Sequence, residues 1–143
     1  MKRSPIRRAS RKRGSMTLKQ RAELDALLRR ALMLRVGAYE FENGDWIGTC
    51  ERCRCQRKLF TSHIEPKGRV PHLRWDLANV VALCYVCHIH WWHKAPREAE
   101  AWITAHLGGH AREHLALRAR TGRGKPDYFT TKLWLTQQMG GAA

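Results

Sequence analysis

Acidic residues are scarce in this chain. Against 19 Arg and 8 Lys stand 12 Asp and Glu, which leaves a net charge of +15 on 143 residues. So large an imbalance in so short a chain excludes an ordinary near-neutral surface and points to a polyanionic partner, nucleic acid first. Long apolar runs are missing too, and no apolar segment follows the basic N-terminus. Neither a spanning helix nor a secretory leader is therefore expected, and a membrane surface is the lesser partner. No internal repeat is visible, and nothing resembles a helix-turn-helix or a zinc-finger array, so base-specific readout is not expected. The length suits one domain with appendages, burying roughly 68% of its unfolded surface.

What is present is concentrated in the middle. Cys50-Glu-Arg-Cys53 and Cys84-Tyr-Val-Cys87 are two CxxC pairs with 30 residues between the inner cysteines. An i,i+3 turn brings two sulfurs onto one ion, and two such turns complete a closed tetrahedron. Cys50, Cys53, Cys84 and Cys87 are thus expected to hold a structural zinc ion that contributes folding energy rather than chemistry. Without an export signal, metal is favoured over disulfides and the expected compartment is the cytoplasm. Cys55 offers only the one-residue spacing Cys53-Arg-Cys55, a poor knuckle, and reads as a spare thiol.

Around this staple the chain divides into four stretches. Residues 1–15 carry seven basic residues and no acid, and read as a disordered arm that orders on phosphate. Residues 16–48 hold a helix from Thr17 to Val36, capped by Thr17 and ended by Gly37, then a hairpin turning at Asn43-Gly44. Residues 49–95 form the zinc-stapled core. There Lys58 to Ile64 and Val70 to Leu73 are the best strands, joined by the Pro66-Lys-Gly68 turn, and Cys84 to Lys94 starts a helix. Residues 96–143 give helices from Pro96 to Leu107, Ala111 to Arg120 and Tyr128 to Met139, with a stop at Gly108-Gly109. The class is α+β, a small core flanked by helices. Trp91, Trp92 and Trp102 are expected to anchor these short helices rather than to stack on bases. His106, His110 and His114 recur at helical spacing, but the Gly-Gly break makes solvated histidines the expectation.

The motif S-H-I-x-P-K-G at Ser62–Gly68, R-W-D-x-x-N at Arg74–Asn79 and C-x-x-C-H ending at His88 resembles the HNH endonucleases, which have a ββα-metal active site. The resemblance covers about residues 50 to 94, and the R-W-D before the Asn is also similar to phage recombination nucleases of the NinG or Rap type and to packaging-associated HNH proteins. The cytoplasm expected from the cysteines is that of a bacterium or of a phage-infected cell, and the resemblance implies a phage recombination or packaging protein as partner. It implies His63 as general base, Asn79 as the residue that holds the loop and orients the base, and His88 as ligand of a catalytic Mg2+ or Mn2+. Imidazole suits the first task because its pKa lies near working pH. Many members of the family carry Asp or His immediately before the base. Here Ser62 stands there, a poor partner for a hard cation. Asp76, Glu65, His90 and His93 are the substitutes within reach in sequence, and His93 is preferred because it lies five residues beyond His88. His90 reads as a polar face.

DNA binding is expected to rest on phosphate neutralisation, with Arg52, Arg54, Arg57, Lys67, Arg69 and Arg74 as principal contacts and Arg29, Arg30 and Lys58 beside them. A single ββα unit implies nicking of one strand with little sequence specificity. The alternatives are a zinc-stapled DNA-binding protein without catalysis, or an accessory subunit docking through Trp134 and Leu135 of the last helix. A nuclease requires His63 and His88 to face one cavity; a pure binder does not.

Overall fold

The computed structural model describes residues 15–140, so nearly all of the basic arm lies outside the described residues. Helix α1 spans Leu18–Arg35. Thr17 Oγ1 accepts the Gln20 amide at 3.1 Å and Gln20 Oε1 accepts the Thr17 amide at 3.0 Å, a reciprocal cap that satisfies two otherwise orphaned donors. Leu24, Leu28, Ala31, Leu32 and Met33 are buried, while Leu18 and Leu34 fall outside the stripe and stay exposed. Gly37, at φ 73°, turns the chain out of the helix.

Four antiparallel strands follow in the order β1-β2-β3-β4: Tyr39–Glu40, Trp46–Thr49, Gln56–His63 and Val80–Cys84. The β1–β2 hairpin turns where Asn43-Gly44 predicts it, with Gly44 at φ 85°. Gly48 is required by close approach: a Cβ there would sit 2.8 Å from the Ala38 Cβ. Strand β4 lies at the sheet edge, yet all five of its residues are buried. Its polar groups are met from outside the sheet. Glu51 pairs with Ala82 through its amide at 3.0 Å and its carboxylate at 2.6 Å, and Arg35 donates to the Val80 carbonyl at 2.8 Å.

Two expectations are corrected here. Val70 to Leu73 is not a strand. Pro71, which lacks an amide proton and fixes φ, opens a 3-10 turn over Pro71–Leu73. The partner of β3 is instead Val80–Cys84, whose unbroken apolar run lacks the alternation that marks a half-exposed strand. Cys84 therefore ends a strand, and the helical segment after it is a π-helix over Val86–Trp92. Helices α2 (Pro96–Leu107), α3 (Gly109–Thr121) and α4 (Tyr128–Gly140) follow, with the break confined to Gly108 at φ 92°. Among the described residues, no helix is long and apolar enough to cross a membrane.

Candidate functional site

The β2–β3 turn and the end of β4 bring the sulfurs of Cys50, Cys53, Cys84 and Cys87 all within 4.8 Å of one another. Four sulfurs about 2.3 Å from one zinc ion would sit roughly 3.8 Å apart, and the Cys53 and Cys84 sulfurs are 3.8 Å apart. The donor set fits a structural metal such as zinc. Two donors aim at it: the Cys84 amide lies 3.3 Å from Cys50 Sγ and Arg52 Nη1 lies 3.5 Å from Cys87 Sγ. Such N–H groups stabilise thiolate charge. Cys55 is exposed and outside the cluster, as its spacing predicts.

His63 ends β3, directly opposite Val80 at the start of β4. His88 sits on the π-helical segment that follows β4. The two histidines line one cavity of about 250 Å³, together with Asp25, Arg29, Thr61 and Lys67. His63 Nε2 lies 2.8 Å from the Arg74 carbonyl, which can only accept, so Nε2 carries the proton. Among the described residues nothing bonds Nδ1. Burial holds the His63 pKa below its ordinary value, against the opposing pull of that carbonyl. His88 is also held low, by burial and then by its histidine neighbours His93 and His63.

Asn79 is fully buried and fully bonded. Its Oδ1 accepts the Glu65 amide at 2.8 Å, while Nδ2 donates to the Glu65 and Leu73 carbonyls at 3.0 and 3.1 Å. One side chain thus clamps both ends of the β3–β4 connection, next to the Arg74 carbonyl that holds His63. Asp25 fixes the far side of the same segment: its carboxylate takes two bonds from Arg74, at 3.1 and 2.7 Å, and one from the Trp75 indole at 2.8 Å.

The nitrogen Nε2 of His93 lies 3.2 Å from that of His88. Two ligands about 2.0–2.1 Å from a shared ion subtend a separation of that size. The other acids considered as substitutes are committed elsewhere. Asp76 caps the Ala78 amide and pairs with Arg118, and Glu65 pairs with Arg112 at 2.9 Å. His90 is exposed, with its ring edge-on to Tyr85. Ser62 is buried in the core, 1% exposed, its hydroxyl without a partner among the described residues. It does not line the cavity.

The basic residues divide into two groups. Arg52 lies over the Trp91 ring at 3.6 Å and Arg74 is tied to Asp25, so both serve the site's walls. Arg54, Arg57, Lys67 and Arg69 are exposed and form no ion pair among the described residues. The tryptophans pack edge-to-face on one another, centroids 5.9 to 6.3 Å apart, as expected of anchors. One expectation fails: His106 is not solvated. It stacks on Trp102 and pairs with Glu51 at 3.0 Å, bracing the first knuckle. His110 and His114 are exposed. Sequence patterning misses Asp25 and Thr61 in the cavity. Asp25 carries a faint signal as an acid inside a basic helix; Thr61 carries only its place two residues before His63, on the same side of β3.

No protein-family model matches this chain, and neither a curated protein nor a solved structure matches it. The chemistry of the site has to come from its own residues.

Proposed function

We propose that this chain is a metal-dependent HNH endonuclease that hydrolyses DNA phosphodiester bonds, nicking one strand with little sequence preference. The observation that carries this reading is the shared cavity: His63, whose Nδ1 has no hydrogen-bond partner among the described residues, and His88 both line it. Two antiparallel strands followed by a helical segment, with the base at the end of the first, also suit a ββα-metal site.

His63 takes a proton from water at Nδ1 as the water attacks phosphorus. The Arg74 carbonyl fixes the tautomer and steadies the imidazolium that forms. Burial keeps the ring neutral, and so competent as a base, near neutral pH. Asn79 is a positioning residue, acting through the connection that presents the Arg74 carbonyl. Arg29 and Lys67 supply positive potential where the phosphate would lie. His88 and His93 would hold the divalent ion, which supplies charge neutralisation on the scissile phosphate and stabilisation of the departing 3′ oxygen. Two imidazoles without a carboxylate suit a transition-metal ion better than Mg2+, which places Mn2+ ahead of Mg2+.

One observation favours a second reading. Ser62 is turned into the core, and Asp76 and Glu65 are tied up, so the protein offers the ion few ligands. A zinc-stapled DNA-binding protein, or an accessory subunit of a phage recombination or packaging complex, would tolerate that. For the accessory subunit the docking face would be Phe129, Leu133 and Trp134 of α4, which are exposed; Leu135, expected to join them, is fully buried.

Nicking of supercoiled plasmid at low salt separates the readings. Relaxation with Mn2+ that disappears in His63→Ala, while DNA binding persists, supports the nuclease. Binding without relaxation by the zinc-loaded wild type supports the binder.

A further inference from the structure

A second cavity of about 300 Å³ adjoins the first. Lys67 lines both, and the wall between them is the Asp25–Arg74 pair, Asp25 facing the first and Arg74 the second, joined at 2.7 Å. Besides Lys67 the second cavity presents Arg21 and Lys125. None of the three cations forms an ion pair among the described residues. Arg74 is neutralised by Asp25, and the one other acid against this cavity, Asp127, accepts the Thr130 amide at 2.8 Å, capping α4 and keeping its negative charge. The remaining wall is apolar: Met16, Pro71, Trp75 and Pro126.

Three cations without a direct ion pair, set against the single charge of Asp127 and beside an apolar wall, suit a ligand with an anionic end and a flat, weakly polar body. We propose that this cavity is a nucleotide subsite. It takes the nucleotide next to the cleaved bond on the same DNA strand, its phosphate on Arg21, Lys67 and Lys125 and its base against the apolar wall. The inference rests on the nuclease reading for its orientation, since the shared Lys67 makes the two cavities neighbours along one strand. The apolar wall accepts any base, in keeping with little sequence preference.

The test removes Arg21 and Lys125, which line only the second cavity, and uses Arg97→Ala/Arg120→Ala as a control of equal charge change on exposed sites away from both cavities. Binding of a short single-stranded oligonucleotide is measured against salt in the His63→Ala background, so that it does not depend on cleavage. Arg21→Ala/Lys125→Ala is expected to weaken binding about ten-fold more than the control. Its slope of log affinity on log salt should fall by roughly 0.7 for each phosphate that is no longer neutralised. Plasmid nicking by the same double variant in the wild-type background should then show a raised KM with kcat retained. Equal weakening by the two double variants overturns the subsite, even if the wild type nicks DNA. Selective weakening together with absent nicking keeps the subsite and removes the nuclease.

Discussion

His63 Nε2 stands 2.8 Å from the carbonyl oxygen of Arg74. That one hydrogen bond decides which nitrogen of the ring is a base. Because a carbonyl only accepts, the proton stays on Nε2 and Nδ1 keeps its lone pair, on a ring that lines the same cavity as His88. The segment that carries this carbonyl is held by Asp25 through the Arg74 guanidinium and the Trp75 indole, and by Asn79 through the Leu73 carbonyl.

The pH dependence follows. Burial lowers the His63 pKa from its ordinary 6.5. The nicking rate should therefore rise with pH along a limb centred below 6.5 and be level above neutrality. His63→Ala should lose about 10²- to 10⁴-fold in kcat and show no such limb. A limb centred above 7 would contradict the buried, neutral base. The same shift has a stability side. The unfolded chain binds this proton more readily than the folded one, so stability falls as pH drops from above 6.5 through the folded pKa. His63→Gln should flatten that part of the curve.

Asn79→Ala should destabilise the fold and impair nicking together. It strands the Glu65 amide and the Glu65 and Leu73 carbonyls, at about 1–3 kcal/mol for each group left buried and unbonded. Asn79→Asp keeps the acceptor and loses both donated bonds, so urea unfolding should rank it close to Asn79→Ala. A stable Asn79→Asp with full activity would show that the clamp does not hold the base.

How much of this is legible in the sequence depends on the range of the interactions. The cap at Thr17, the turn at Gly44, the stop after Leu107 and the metal cluster are local or motif-bound, and each lies where its residues predict it. Strand β4 is hidden because burial on both faces erases alternation, and the Pro71 turn reads as a strand because Val70 and Leu73 are apolar. The cavity walls are illegible for a different reason. Asp25 meets Arg74 across 49 residues and Glu51 meets His106 across 55, and no spacing rule reports pairs that only the folded chain creates.

Asp25→Asn tests the wall between the two cavities. Burial alone would raise the Asp25 pKa, but the hydrogen bonds from Arg74 and Trp75 and the Arg74 charge outweigh it, so the folded value lies below 3.8. A depressed carboxylate contributes stability above its unfolded pKa and loses it as pH falls through the folded pKa. Wild type should thus melt higher than Asp25→Asn at pH 7, and the two should converge in strong acid. A difference independent of pH would mean that the pair with Arg74 is not what Asp25 contributes.

Removal of the metal should separate fold from chemistry. The Cys50 and Cys84 thiols are buried between β2, β3 and β4, so an apo protein must leave four sulfurs crowded together with no ion between them. Chelation at pH 7 is expected to unfold the core around residues 50–88, with loss of near-ultraviolet tryptophan signal, because the binding free energy of such a site is folding free energy. Cys50→Ser and Cys87→Ser should each purify with less than one zinc per chain and melt at lower temperature. Cys55→Ser, exposed and outside the cluster, should match wild type in both metal content and melting. Mn2+ added after chelation should not restore the fold, since manganese prefers oxygen donors to four thiolates; zinc should. If instead Mn2+ alone restores folding, the cysteines are not the structural site, and the division between a closed thiolate centre and an open histidine centre collapses.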